Sequence, residues 1–155
     1  QSSVLYISIY LVMNIGFFSC LFMLKRNNIY HEDIDDLSGL SKNHPLIALS
    51  LLIILFSLAG IPPLAGFFAK FYIFMSVIES GMYALAIIGL VTTVISAFFY
   101  LRIIKIMYFD RPRKPFEENY DWGLKISLIL SSVLILVYFI YPSILIDTIA
   151  LIQIY

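Results

Sequence analysis

Residues 57–72 read Ser57-Leu58-Ala59-Gly60-Ile61-Pro62-Pro63-Leu64-Ala65-Gly66-Phe67-Phe68-Ala69-Lys70-Phe71-Tyr72, an apolar stretch with two adjacent prolines and one lysine. Proline lacks the N–H that a helix interior needs, so the stretch predicts a helix break at residues 60–66, carried by Gly60, Pro62, Pro63 and Gly66. Within a membrane, such a break is tolerated only where it is buried in protein or lines a water-filled cavity. Lys70 is the only charged residue in 45–78, and a lysine at membrane depth costs about 2.5–3.5 kcal/mol on insertion scales. The charge beside the break is therefore the predicted functional site.

The composition of the whole chain predicts an integral membrane protein. Apolar residues make up 61% and charged residues 13% of the 155 residues, and the mean hydropathy is +0.95. Soluble domains contain about 45–50% apolar and about 25% charged residues. The net charge is zero, which gives no indication of a nucleic-acid partner. Cys20 is the only cysteine, so this chain alone can hold neither a disulfide nor a cysteine-ligated iron–sulfur cluster.

The uncharged runs predict an all-α, polytopic membrane domain over residues 1–155 with four transmembrane crossings. The predicted spans are 4–24, 45–79 with its break at 60–66, 80–107 and 124–146. The second run is too long for one straight crossing at about 1.5 Å per residue, so the second crossing is predicted to be a discontinuous helix. The first residue is Gln1 and not methionine, which indicates a piece of a longer subunit.

The basic residues orient these spans. All of them except Lys70 lie in two segments, 25–44 and 102–125. By the positive-inside rule both segments face the cytoplasm or its equivalent, the mitochondrial matrix. The turn at 79–81 and both ends of the chain are then expected on the opposite side.

Lys70 has two interpretations. Its side chain could snorkel towards the membrane surface near Glu79, but the lysine lies more than two helical turns from that end. The alternative is proton transfer, because an ammonium group that loses its hydration gives up its proton more readily than one in water. The position favours proton transfer.

The third span carries a candidate polar path. Gly89, Thr92, Thr93, Ser96 and Tyr100 are spaced so that they share one helix face. Close packing through small residues, with hydroxyls bonded to neighbouring helices, is the favoured interpretation, and a proton path is the alternative.

Two further polar residues and one acidic segment can each have a structural or a functional role. Asn14 in the first span is expected to form a hydrogen bond to another helix. His44 is expected at the membrane interface and not in proton transfer. The acidic segment His31-Glu32-Asp33-Ile34-Asp35-Asp36 could bind a divalent metal, but it lacks regular ligand spacing, so a solvated charge cluster is favoured and no metal site is predicted. The sequence contains no Gly-rich phosphate loop, so no cofactor-binding site is predicted in this chain.

Several of these motifs resemble one family closely. They are Leu37-Ser38-Gly39-Leu40, His44-Pro45-Leu46, the stretch 57–72 and Tyr100-Leu101-Arg102. Together they resemble the antiporter-like subunit N of proton-pumping NADH:quinone oxidoreductase (respiratory complex I), whose mitochondrial counterpart is NADH dehydrogenase subunit 2. The resemblance covers essentially the whole chain and implies the C-terminal portion of such a subunit.

The resemblance implies a function and a set of partners. Lys70 matches the lysine that serves the family as the terminal proton-transfer residue, whereas the family's glutamate and other intramembrane lysines lie outside this chain. The chain would then be a non-redox part of a proton translocase in the bacterial or mitochondrial inner membrane. NADH, FMN, the iron–sulfur clusters and quinone would belong to partner subunits. Its neighbours would be the other membrane-arm subunits, the N-terminal remainder of the same subunit, and lipid.

The sequence leaves two alternative functions open. Multisubunit cation/proton antiporters have a similar lysine or glutamate beside a broken helix, so the chain could belong to such an antiporter. A purely structural membrane segment that helps assembly is the weaker alternative.

Overall fold

The structure, a computed structural model, describes residues 2–26, 29–30, 33–116 and 121–140. Its long helices are α1 (Ser2–Met23), α3 (Pro45–Ala59), α4 (Ala65–Glu79), α5 (Tyr83–Phe109) and α6 (Trp122–Ile140). A 3₁₀ turn (Ile34–Leu37) and the short helix α2 (Leu40–Asn43) lie between α1 and α3. Two strands of two residues each, β1 (Lys25–Arg26) and β2 (Ile29–Tyr30), pair antiparallel after α1. The described residues therefore form a helical fold with one minimal β-ladder that the sequence does not predict.

The ends of the predicted spans shift by a few residues. The third span was predicted at 80–107, and α5 occupies Tyr83–Phe109 because the turn around Gly81, which has a φ of +74°, takes the intervening residues. The fourth was predicted at 124–146; α6 begins at Trp122, and residues 141–146 lie outside the described residues. Helices α1 and α5 are long and apolar enough to cross a membrane, whereas α3 and the apolar part of α6 are shorter.

Helix α1 is apolar on its outer face as well as on its inner face. Its buried stripe is Leu5, Ile9, Met13, Cys20 and Met23, and its exposed stripe is Val4, Ile7, Leu11, Ile15, Phe18 and Phe22. A helix on the surface of a soluble protein places polar residues on the outer face. An exposed face as hydrophobic as the core is what a lipid-facing helix requires.

Close contact between α1, α3 and α6 depends on small residues. Gly16 of α1 faces Ile54 of α3 and Ser131 of α6. A Cβ at Gly16 would lie 2.6 Å from Ile54 Cδ1 and 2.7 Å from Ser131 Cβ, so only glycine fits at this position. Ser19 Oγ hydrogen-bonds Ser127 Oγ at 3.1 Å across the α1–α6 contact. This packing follows the pattern of membrane helix pairs, in which small residues let the backbones approach.

The predicted interhelical hydrogen bond of Asn14 is not seen among the described residues. Its side-chain amide donates to the Tyr10 carbonyl of its own helix at 2.7 Å. The carbonyl one turn back is within reach of the short amide side chain, and this local bond satisfies the donor without a neighbouring helix.

The two basic segments meet at one end of the molecule. Gly39 N donates to Ile106 O at 3.1 Å, and Arg113 N donates to Ser38 O at 3.2 Å. The guanidinium of Arg113 also forms an ion pair with Asp36 at 3.2 Å. Gly39 has a φ of +68°, and a Cβ there would overlap the backbone of Pro112. Residues 33–44 and 110–116 therefore lie at the same end of the molecule, and their common side of the membrane stays a prediction.

The helical run from Pro45 to Glu79 is interrupted at Gly60–Leu64. Helix α3 ends at Ala59, Gly60 adopts a left-handed φ of +82°, and α4 begins at Ala65. The interruption is shorter than the predicted 60–66, because Gly66 lies in the first turn of α4 and not in the linker. The Pro62–Pro63 peptide bond within it is cis.

Candidate functional site

The end of α3 leaves a backbone carbonyl without its helical partner. Gly60 N donates to Ser57 O and Ile61 N donates to Phe56 O, both at 3.0 Å, which is the bonding pattern of a Schellman cap. The Leu58 carbonyl would accept the N–H of residue 62 in a continued helix, but residue 62 is proline and has no N–H. A carbonyl acceptor is therefore free at the break.

Lys70 forms a hydrogen bond to the free Leu58 carbonyl. Its Nζ donates to Leu58 O at 2.8 Å, from the second turn of α4 back to the last turn of α3. The side chain is half-buried, and among the described residues no carboxylate pairs with it. The C-terminal end of a helix carries partial negative charge, so the ammonium is stabilised there by α3 itself.

Gly60 leaves room for this side chain. A Cβ at Gly60 would lie 3.1 Å from Lys70 Cδ and 3.4 Å from Nζ. The left-handed φ of +82° also disfavours any residue with a Cβ. Gly60 therefore ends α3 and also leaves space for the Lys70 side chain.

Ser57 and Gly66 join the two helices across the break. Gly66 N, in the first turn of α4, has no acceptor within its own helix and donates to Ser57 Oγ at 2.9 Å. Ser57 is fully buried, and a Cβ at Gly66 would overlap the Ser57 carbonyl. This contact fixes the distance between α3 and α4, and with it the reach of Lys70 to Leu58.

A cavity of about 190 Å³ opens beside Lys70, between α1, α4 and α5. At about 30 Å³ per molecule it has room for several waters. Most of its walls are polar or aromatic, and its lining residues are Tyr6, Tyr10, Met13, Leu58, Gly66, Lys70, Thr92, Thr93, Ser96 and Tyr100. The structure thus brings the candidate polar path of α5 together with Lys70 in one cavity.

The hydroxyls of that path are bonded within α5. Thr92 Oγ1 and Thr93 Oγ1 each donate to Gly89 O at 2.9 Å, and Ser96 Oγ donates to Thr92 O at 2.9 Å. The packing interpretation predicted bonds to neighbouring helices, and none is seen for these hydroxyls in the described part of the chain. Close packing occurs instead at Gly89, where a Cβ would lie 2.7 Å from the Phe74 ring. Each hydroxyl keeps lone pairs that can accept from water in the cavity.

The wall of the cavity that α1 contributes was not predicted from the sequence. Tyr6 and Tyr10 stack with ring centroids 5.9 Å apart and an interplanar angle of 8°, and both line the cavity with Met13. Their spacing of four residues places them on one face of a predominantly apolar helix, which is the signal that could have identified them. The Leu58 acceptor could also have been found, by counting four residues back from Pro62.

His44 and the acidic segment lie apart from this site. His44 is buried at the start of α3, with its ring centroid 6.5 Å from that of Phe116. His44 Nε2 has no hydrogen-bond partner in the described part of the chain. Residues 31 and 32 of the acidic segment lie outside the described residues, and the residues that the structure describes show no group of three or more potential metal ligands.

The chain is similar to known membrane proteins in family, sequence and fold. Residues 1–96 match the family described as NADH:quinone oxidoreductase/Mrp antiporter, transmembrane, and this range includes the break and Lys70. The chain is 64% identical over 154 residues to NADH-quinone oxidoreductase subunit N of Pelagibacter ubique, which covers 99% of this chain and 33% of the relative. It is 49% identical over 139 residues to the subunit of the same name from Parvibaculum lavamentivorans, covering 90% and 29% of the two chains.

A solved structure gives the same result for the fold. A chain of respiratory complex I from Thermus thermophilus, solved with bound aureothin, superposes with a TM-score of 0.79 at 28% sequence identity. The match covers 92% of this chain and 33% of that chain. The chain thus spans about a third of the length of the relatives it matches. The resemblance read from the motifs is confirmed: this chain belongs to the NADH:quinone oxidoreductase/Mrp antiporter transmembrane family, and both sequence relatives named above are NADH-quinone oxidoreductase subunit N.

Proposed function

We propose that the chain is the C-terminal portion of a proton-translocating membrane subunit of an NADH:quinone oxidoreductase, in which Lys70 passes protons. The observation that carries this proposal is the Lys70 ammonium held on a backbone carbonyl at a helix break, beside a polar cavity. Similarity to subunit N over nearly the whole chain supports the assignment to a redox-driven pump.

The proposal includes four membrane crossings. Helices α3 and α4 have 15 residues each. Each is about 22 Å long, which is less than the roughly 30 Å hydrocarbon core, so neither crosses alone. Joined through the break they form one discontinuous crossing, with α1, α5 and α6 as the others. The end that carries residues 33–44 and 110–116 faces the cytoplasm or matrix, because the Lys and Arg residues outside the break lie in the two segments that meet there.

Lys70 acts by gaining and losing one proton. As an ammonium it is retained by the Leu58 carbonyl, and as a neutral amine it is held more weakly, because hydrogen bonds from charged donors are the stronger ones. Water in the adjacent cavity accepts the released proton, and the Thr93 and Ser96 hydroxyls orient that water. The lysine carries out no electron transfer, and the chemistry of oxidation takes place elsewhere in the assembly.

Partners and cofactors follow from this assignment. NADH, FMN, iron–sulfur clusters and quinone belong to other subunits, and this chain holds none of them. Its neighbours are the remaining two thirds of its own subunit, the other membrane-arm subunits and lipid in the inner membrane. The exposed apolar face of α5, which includes Ile87, Val91 and Val94, is suited to such a neighbour or to lipid.

A cation/proton antiporter is the second candidate, because the matched family covers both kinds of assembly. Purification of the native assembly through a tag on this subunit distinguishes them. The proposal predicts flavin and iron–sulfur absorbance with NADH oxidation in the purified assembly. An assembly of multi-span subunits alone, without redox cofactors, would instead establish the antiporter.

A further inference from the structure

We infer that Pro62 is a positioning residue for proton transfer: by lacking an N–H it keeps the Leu58 carbonyl free as the docking acceptor of Lys70. This inference rests on the proposed function of Lys70 and adds how the lysine is held. It gives the two adjacent prolines different roles, although both interrupt the helix.

Hydrogen bonding at the end of α3 assigns the acceptor. The Schellman cap uses the carbonyls of Phe56 and Ser57, which leaves those of Leu58 and Ala59 as the next two along the helix. Their helical donors would be the N–H groups of residues 62 and 63, and both residues are proline. Lys70 uses only the first of the two carbonyls, at 2.8 Å.

The two prolines also restrict different residues. A proline disfavours helical geometry at the residue before it, so Pro62 acts on Ile61 and Pro63 acts on Pro62. A helical bond from the N–H of residue 62 to Leu58 needs helical geometry only at residues 59–61. Replacing Pro62 by alanine therefore supplies the missing donor and frees Ile61 in one step, even while Pro63 remains.

The consequence is competition for one carbonyl. In the Pro62→Ala variant, α3 can extend by part of a turn, because Gly60 can also adopt helical geometry. The new N–H then occupies Leu58 O, and the Lys70 ammonium loses its charge-assisted bond inside the membrane. In the Pro63→Ala variant the added N–H can pair only with Ala59 O, and Lys70 remains docked.

The experiment compares Pro62→Ala, Pro63→Ala and Lys70→Ala in the full-length subunit within the assembled complex. Proton pumping per NADH oxidised is measured in vesicles across pH, normalised to assembled complex, and the Pro62→Ala complex is also imaged by cryo-electron microscopy. We expect Pro62→Ala to lower pumping about tenfold and to displace its pH profile by about one unit, which is the equivalent of a tenfold change in Lys70 docking. Pro63→Ala should keep at least half of the pumping, with an unchanged profile. In the image of Pro62→Ala, Nζ of Lys70 should lie beyond 3.5 Å from Leu58 O.

Each other outcome overturns the inference in a recognisable way. Equal effects of the two proline variants, or a Pro62→Ala image in which Lys70 remains on Leu58 O, would show that Pro62 only interrupts the helix. Loss of assembly in Pro62→Ala, with no image obtainable and with normal pumping per remaining complex, would also contradict the positioning role. Full pumping by Lys70→Ala would refute the proposed function itself, independently of the prolines.

Discussion

At the scale of single residues, the site depends on which backbone groups the sequence leaves unpaired. Pro62 removes the donor that would pair Leu58 O, and the beginning of α4 leaves Gly66 N without a helical acceptor. Lys70 and Ser57 satisfy these two groups from the other side of the break. The half-buried lysine and the buried serine thus belong to one set of interactions that spans the interruption.

Ser57→Ala tests the serine in that set. The change leaves the buried Gly66 N–H without a partner, so we expect a loss of about 1–3 kcal/mol of stability. Thermal denaturation of the assembled complex should show a lower Tm for this subunit. Ser80→Ala is the matched control, because the Ser80 hydroxyl bonds Ser76 O at an exposed helix end. An equal Tm for both variants would contradict the capping role of Ser57.

Gly66→Ala tests the close approach of the two helices. The added Cβ would overlap the Ser57 carbonyl, and backbone cannot move aside as a flexible side chain can, so we expect a cost of about 3 kcal/mol or more and poor assembly. Gly81→Ala is the control, since nothing lies within 4 Å of an added Cβ at Gly81, although Gly81, unlike Gly66, has a left-handed φ. The control should cost only about 1 kcal/mol of backbone strain. Normal assembly of the Gly66 variant would show that α3 and α4 are farther apart than the structure places them.

At the scale of helices, α5 combines packing and cavity lining on one face. Gly89 packs against Phe74, whereas Thr93 and Ser96 bond carbonyls of their own helix and face the cavity. The helix can therefore pack without these hydroxyls, and their contribution is to the polarity of the space beside Lys70.

Thr93→Val separates these two contributions, because valine keeps the shape of threonine and removes the hydroxyl. We expect normal assembly and a two- to tenfold slower proton transfer, the effect of about 0.5–1.5 kcal/mol from one hydrogen bond. The measurement is the initial rate of vesicle acidification at fixed NADH oxidation. Ser8→Ala is the control, because the Ser8 hydroxyl also bonds its own helix, at Val4 O, and does not line the cavity. Unchanged rates in both variants would mean that the cavity hydroxyls take no part in proton transfer.

The sequence predicts the helices better than it predicts the site. The uncharged runs place α3 at its observed bounds, because proline at its first position and glycine after its last one are both helix boundary signals. Helical periodicity also groups Thr92, Thr93 and Ser96 on one face. It cannot tell which neighbouring helix that face meets, and so it gave no reason to place Tyr6 and Tyr10 beside Lys70. That placement depends on tertiary packing, to which Gly16 and the α6 serines contribute.

At the scale of the whole molecule, the distribution of charge matches the packing of the loops. Residues 33–44 and 110–116 hold four of the nine basic residues of the two basic segments, and backbone hydrogen bonds join them at one end of the helices. Helix α4 begins after the break at Ala65 and ends at Glu79, so the turn at Ser80 lies at the end of α4 that is farther from the break. The proposed orientation in the membrane follows from this polarity.

Cysteine labelling in sealed vesicles tests the orientation. Cysteines introduced at Lys114 and at Ser80, in a subunit without other accessible cysteines, should react with an impermeant maleimide from opposite sides. The Cys20 thiol is fully buried and should not react. Labelling of both positions from the same side would refute the proposed four-crossing arrangement.

The central claim is that Lys70 transfers protons, and coupled pumping by the Lys70→Ala complex tests it most directly. Alanine removes the titratable group and also the cost of burying a charge, so assembly should remain normal. Lys105→Ala is the matched control, because the Lys105 side chain is exposed near the end of α5, where it pairs with Asp110 at 3.4 Å. Proton uptake per NADH oxidised in reconstituted vesicles should fall at least tenfold for Lys70→Ala and stay within a factor of two for Lys105→Ala. Full pumping by the Lys70→Ala complex, at normal assembly, would contradict the account and leave Lys70 as a structural residue.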